Sequence, residues 1–234
     1  TMTLKERLAA PEITIMPGVH DGYSARIVEL AGFDVAWISG AGISESHLGW
    51  VDRGVMGLQE NLTACRDMMN CTNLTLLGDG DTGYGNAMNV HFTVRAFEQA
   101  GLAGVMLEDQ TWPKRCGHMR GKSVVPMEEH VQKIRAAVDA RGEAPFLITA
   151  RTDARAPLGL DEAIRRAHAY HEAGATAIFI EAPESVEEMA QIAREAPGLL
   201  VANMIEGGKT PLLPLRALHE LGFHNVGYVL TGIF

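Results

Sequence analysis

Asp79 and Asp81 stand two residues apart in the glycine-rich stretch GDGDTGYGN (78–86), and Glu108 closes an apolar run further on. In extended chain, residues two apart project to the same side. The two aspartates and Glu108 therefore read as a cluster of oxygen donors. Mg²⁺ suits such a set, because it takes few protein carboxylates, keeps several waters and leaves positions to an oxygen-rich substrate; Mn²⁺ is the alternative. The competing reading is that Asp79 or Asp81 only caps a turn in the loop. Arg151 fits an ion pair with these acids or a clamp on a substrate carboxylate, and the clamp is the expectation. Cys116 sits in Lys114-Arg115-Cys116-Gly117-His118, two cations before the thiol and an imidazole after it. Positive neighbours favour thiolate, so this thiol is expected to donate or accept a proton near neutral pH. Pro113 and Gly117 place it in a polar loop. Cys65 and Cys71, in a helical stretch with Met68 and Met69, read as structural, and no HxxxH or CxxC spacing indicates zinc. His91, His168 and His171 are expected on partly exposed helix faces.

The elements that must position these groups are short apolar runs alternating with amphipathic stretches. The runs are 13–19, 35–39, 74–78, 104–107, 146–150, 177–180, 199–202 and 226–230, continuous enough for strands buried on both faces of a parallel sheet. Met127–Arg141 and Leu160–Ala173 carry the helical spacing of apolar residues. Ala31-Gly32, Ala100-Gly101 and Ala173-Gly174 read as helix ends closed by a left-handed glycine. Asp161 and Ser185 read as N-caps. Eight strands alternating with helices predict a single (β/α)8 barrel over residues 1–234, with an eight-stranded doubly wound sheet as the alternative. No Gly-x-Gly-x-x-Gly turn follows the first strand, which disfavours a dinucleotide fold. The runs end on Ser39, Asp79, Glu108, Arg151, Glu181 and Asn203. In a barrel these tips meet on one face, where enzymes of this fold work.

Composition sets the limits. The 234 residues carry 20 Lys+Arg against 29 Asp+Glu, a net charge of −9 that argues against sequence-independent nucleic-acid binding. No run of 18 apolar residues is present, so no membrane span is expected. The first residues, TMTLKERLAAPE, lack the apolar core of a signal peptide. Three cysteines are too few for a disulfide framework, which favours a reducing cytoplasm.

The stretches GDGDTGYGNAMNV (78–90), LEDQTWPKRCGHMRGK (107–122), ARTDAR (150–155), FIEAP (179–183) and NMIEGGKTP (203–211), with Ser39-Gly40, resemble the isocitrate lyase/phosphoenolpyruvate mutase superfamily. The resemblance covers most of the chain, is greatest to the 2-alkylmalate lyase branch, and is nearly as great to the carboxyphosphonoenolpyruvate mutases. It implies Mg²⁺ held at Asp79 and Asp81, with Glu108 assisting through water and Asp52 on a loop near the metal. It implies substrate contacts from Ser39, Gly40, Ala41, Gly117, Arg151, Glu181 and Asn203, with His118 beside them. Cys116 matches a general acid on a mobile gating loop. The implied activity is cleavage of a carbon–carbon bond in a 2-hydroxy dicarboxylate, through an enolate protonated at carbon by Cys116. Oxaloacetate hydrolysis and phosphonomutase chemistry are the alternatives.

Departures from the superfamily pattern narrow the substrate. Methylisocitrate lyases carry tyrosine where this chain has Trp37, and an arginine where Phe234 aligns. Both changes favour an alkyl substituent over a third carboxylate. The loop after the eighth run offers Thr231 where oxaloacetate hydrolases favour serine. The chain stops just past that run, so the eighth helix and the further helices of relatives, one exchanged between subunits in a dimer of dimers, are expected to lie outside it.

Overall fold

The eight apolar runs form one closed, all-parallel barrel. In the computed structural model, which describes residues 2–233, the strands are β1 (Thr14–Val19), β2 (Val35–Ile38), β3 (Thr75–Asp79), β4 (Gly104–Glu108), β5 (Leu147–Thr152), β6 (Ala177–Ile180), β7 (Leu199–Asn203) and β8 (Asn225–Tyr228). Each pairs with the next, and β8 returns to β1 in the register Thr14↔Asn225 to Pro17↔Tyr228. That closing pair decides against the doubly wound sheet. Phe234 lies outside the described residues, and among those described no helix follows β8. No described helix is long and apolar enough to cross a membrane.

Helix α1 (Leu4–Leu8) precedes the barrel, and α2 (Gly22–Leu30) follows β1. Then come α3 (Gly40–Leu48) and α4 (Leu58–Cys71) before β3, α5 (Ala87–Gln99) after it, and α6 (Met127–Arg141) after β4. The short α7 (Arg155–Leu158) and α8 (Leu160–Glu172) follow β5, with α9 (Val186–Glu195) and α10 (Leu215–Leu221) after β6 and β7.

Alternation along each strand builds two cores. Met16, Trp37, Leu77, Met106, Phe179 and Val201 fill the barrel, while Ala36, Ile38, Leu76, Val105, Ile148 and Ile178 face the helices. Leu4 and Leu8 of α1 join the inner cluster and plug the N-terminal end of the barrel. A reciprocal Thr3–Glu6 capping box starts that helix. With one end sealed by apolar side chains, polar chemistry is left to the other.

The helix signals hold with one exception. Gly32, Gly101 and Gly174 adopt φ of 91°, 94° and 108° after their helices, and Ser185 caps α9 by accepting from the Glu188 N–H. Asp161 is not an N-cap. Gly159, with φ 94°, starts α8 directly after α7, so Asp161 falls inside the first turn, where its charge favours the helix dipole.

Candidate active site

The strand tips converge on a cavity at the C-terminal end of the barrel, whose empty space, open mouth included, is about 460 Å³. Ser39, Ala41, Asp52, Asp79, Cys116, Gly117, His118, Arg151, Glu181 and Asn203 line it with polar groups. Trp37, Met106, Phe179, Ile205, Val229 and Leu230 supply an apolar floor and side wall. Trp37 meets Phe179 edge-to-face at 5.7 Å. Asp81 and Glu108 are buried behind this lining.

The acids do not follow the extended-chain expectation. Gly83 N–H donates to the Gly80 carbonyl, turning the chain, and Asp81 takes a left-handed φ of 47°. Asp79 thus faces the cavity, while Asp81 points to Lys114, whose ammonium lies 2.7 Å from Asp81 Oδ1 and 2.6 Å from Asp52 Oδ1. The turn-capping reading of Asp79 is met as well, because its Oδ1 accepts from the Asp81 N–H and its Oδ2 from the Gly40 N–H. A Cβ at residue 40 would come within 2.7 Å of that oxygen, so only glycine fits. Asp81 is held by the Lys114 ammonium, whereas both Glu108 oxygens are buried without a hydrogen-bond partner. Burial, with Asp79 and Asp52 adding to it against Lys114, pushes Asp81 up to about 6. Burial likewise lifts Glu108 well above the carboxylate range, despite Arg151 nearby. Among the described residues no three metal-binding side chains are gathered round one point. The donor set is nonetheless all oxygen and buried, with Glu108 short of donors, which fits a hard divalent cation.

Arg151 realises the ion-pair alternative while also lining the cavity. Its Nε and Nη2 donate to Asp153 at 2.8 and 3.0 Å, and Nη2 lies 3.2 Å from Glu108 and 3.3 Å from Glu181. Against the burial that opposes it, Arg151 with His118 holds Glu181 down to about 2. His118 approaches Glu181 through Nε2 at 3.1 Å, while its Nδ1 accepts from the Lys209 N–H. Nε2 must then carry the proton.

The thiolate expectation for Cys116 is overturned. Burial pushes its thiol above the ordinary range, and Asp52 and Glu181 push the same way, against a hydrogen bond from the His118 N–H. Its neighbours in sequence are not its neighbours in space. Lys114 turns to Asp52 and Asp81, and the Arg115 guanidinium donates to the Arg120 carbonyl at the surface. Cys116 is therefore held as the thiol.

Residues 4–231 match the family model described as phosphoenolpyruvate phosphomutase. The chain is 50% identical over 221 residues to the petal death protein of Dianthus caryophyllus, covering 94% of this chain and 70% of that one. It is 45% identical to the 2,3-dimethylmalate lyase of Eubacterium barkeri, over 99% of this chain and 80% of the relative. Among solved structures, an oxaloacetate acetylhydrolase in complex with 3,3-difluorooxalacetate superposes with a TM-score of 0.95 at 35% identity, covering 99% of this chain and 80% of that one. The chain belongs to the phosphoenolpyruvate phosphomutase family. It is an enzyme of the isocitrate lyase/phosphoenolpyruvate mutase superfamily, among carbon–carbon lyases.

Sequence reasoning missed the groups that hold this family member's site together. Lys114 balances Asp52 and Asp81, and Lys122 bonds the Gly117 carbonyl and Asp153 Oδ1. Asn61 donates to the Asp79 carbonyl, and the Tyr84 hydroxyl reaches Asp81 Oδ2 at 3.3 Å. Asp109 gathers four donors from β5 and α8. The available signal was a lysine at each end of the cysteine stretch and an aspartate beside Arg151, but their partners lie far off in sequence. Of the other histidines, His168 and His171 are exposed and His91 half-buried, whereas His130 is fully buried.

Proposed function

We propose that the chain is a Mg²⁺-dependent lyase that cleaves a 2-alkylmalate-like 2-hydroxy dicarboxylate into a 2-keto acid and a carboxylic acid. The observation that carries this reading is a juxtaposition: carboxylates and the Cys116 thiol line one cavity together with Arg151 and an apolar wall of Trp37, Phe179, Val229 and Leu230. Asp79 and Asp81 would hold the cation, with Glu108 and Asp52 beside them. When bound, Mg²⁺ would supply Lewis acidity toward a substrate carboxylate and its neighbouring oxygen.

The chain's own groups do the rest. Ser39, Arg151, Asn203 and the backbone of Gly40, Ala41 and Gly117 bind and orient the carboxylates. As the bond between the carbinol carbon and its neighbour breaks, the electron pair passes to the departing fragment. Cys116 delivers its proton to that carbon, and the hydroxyl proton lost as the keto group forms balances it. A thiol kept protonated by burial suits an acid that must not ionise early. The Cys116 loop covers the cavity and excludes water while the carbanionic fragment lives. Trp37, Phe179, Val229 and Leu230 accept an alkyl group and offer no partner to a third carboxylate.

Purified protein with Mg²⁺ should release keto acid from 2-alkyl- or 2,3-dialkylmalates in a panel that includes methylisocitrate and oxaloacetate. Turnover of oxaloacetate to oxalate and acetate, with no malate cleaved, would sink the reading. That second activity is favoured by the TM-score of 0.95 to an oxaloacetate acetylhydrolase, while Thr231 in place of serine weighs against it. Phosphorus NMR separates the phosphonomutase alternative, because only that reaction forms a P–C bond.

A further inference from the structure

Lys122 closes the stretch that carries Cys116, and its side chain is completely buried. Its ammonium donates to two oxygens, the Gly117 carbonyl and Asp153 Oδ1, the latter at 2.6 Å. Each contact leads to one working group of the cavity. The Gly117 carbonyl belongs to the residue that follows Cys116, in the turn where the Met119 N–H donates to the Cys116 carbonyl. Asp153 grips the Arg151 guanidinium through Nε and Nη2.

The loop also rests on Arg151 directly. A Cβ at residue 117 would lie 2.6 Å from Arg151 Nη2 and from Glu181 Cδ, so the bare backbone of Gly117 packs against both. Displacing the loop therefore removes a neighbour of Arg151 and an acceptor of Lys122 in one movement. A buried ammonium that loses an acceptor is costly, which ties the three groups to one arrangement. Lys122 does not line the cavity, so it acts through its neighbours.

Given the reading of Cys116 and Arg151 above, we propose that Lys122 is a positioning residue whose ammonium couples the seated Cys116 loop to Arg151, setting thiol and guanidinium together. A plain structural ion pair would need only Asp153, which Arg151 already engages with two hydrogen bonds. The contact to the loop carbonyl makes Lys122 a bridge. The loop keeps a second attachment through His118 to Glu181 and Lys209, so loss of Lys122 loosens the loop and leaves it attached.

The test reads the loop without substrate. Full-length protein is treated with iodoacetamide at pH 8, and alkylation is resolved by peptide mass spectrometry, with half-buried Cys71 as reference. Limited trypsin cleavage after Arg115 and Arg120, both exposed on the loop, is followed in parallel. Burial is the largest cause holding the Cys116 thiol up, so loosening should speed its reaction. Lys122→Met should raise Cys116 alkylation relative to Cys71 about 10-fold and accelerate cleavage after Arg120. It should also lower kcat/KM about 10²-fold, with kcat falling and KM rising because Arg151 holds a substrate carboxylate. Lys122→Arg should recover most of each loss. Wild-type alkylation and cleavage in folded Lys122→Met would overturn the proposal. If that variant fails to fold, Lys122→Met/Asp153→Asn removes the excess buried negative charge, and the same two outcomes decide. Wild-type protein inactive on every malate would sink the lyase reading and leave the alkylation result standing.

Discussion

Glu108 and Asp109 are neighbours at the tip of β4, 1% and 0% exposed, and they have opposite surroundings. Successive residues of a strand face opposite sides, so Glu108 points toward the mouth of the barrel and Asp109 toward the helical layer. Asp109 accepts from Thr152 Oγ1, the Asp153 N–H, Arg166 Nη1 and the Tyr170 hydroxyl, all within 2.9 Å. Glu108 has the Arg151 guanidinium at 3.2 Å and no hydrogen bond. Burial raises both carboxyls, but only Asp109 is saturated with donors. A saturated buried carboxylate stitches the fold, here β4 to β5 and α8. One left short of donors beside a cavity is available to a ligand.

The comparison predicts which variants lose activity and which lose stability. The largest effect belongs to the cavity side: Cys116→Ser should fold and melt like wild type and lose about 10²–10⁴-fold in turnover. Unchanged turnover would remove the general-acid role. Next, Asp109→Ala should cost about 3–5 kcal/mol in denaturant unfolding, because it strips the acceptor from four buried donors and one of two carboxylates from Arg166. Glu108→Gln should cost under about 1 kcal/mol or stabilise, since it replaces a buried carboxyl that accepts no hydrogen bond. Equal losses of stability in the two variants would break the distinction.

The strands and their tips were legible because parallel barrel strands are buried on both faces and read as unbroken apolar runs such as Val35–Ile38. The polar residue ending each run marks the working face. What was not legible depends on contacts across the chain. Lys122 meets Asp153 31 positions away, and Arg166 meets Asp109 57 away. No local pattern announces such pairs. The electrostatics of Cys116 failed for the same reason, since adjacent cations were assigned to the thiol when distant acids had claimed Lys114. Asp79 and Asp81 were read as one face because the turn after Gly80 is invisible to a two-residue period. Trp37, by contrast, was found by comparison with the superfamily pattern, and the cavity wall it builds with Phe179 bears on the substrate.

A smaller effect sharpens the structural side. His130 packs edge-to-face on Tyr170 at 4.6 Å, within the layer that Asp109 organises. Burial, aided by Lys133 and Arg166, depresses it to about 3. The unfolded chain therefore binds the proton first. Its contribution to stability is complete above about pH 6.5 and is lost as pH falls toward the folded value, by at most about 1.4 kcal/mol per pH unit. His130→Gln should flatten that slope between pH 6 and 4 in denaturant titrations. A slope identical to wild type would show that His130 is not the group responsible.

On the reading proposed above, Asp81 and Glu108 beside the cavity receive the cation, and the saturated Asp109 does not. The direct measurement is the melting temperature of wild type, Asp81→Asn and Glu108→Gln with and without Mg²⁺. At about 100 times its dissociation constant, a ligand of the native state adds about 2.7 kcal/mol, or about 5–10 °C for a chain of this size. The account predicts that shift in wild type, its loss in Asp81→Asn and its reduction in Glu108→Gln. A full Mg²⁺ shift retained in both variants would contradict it.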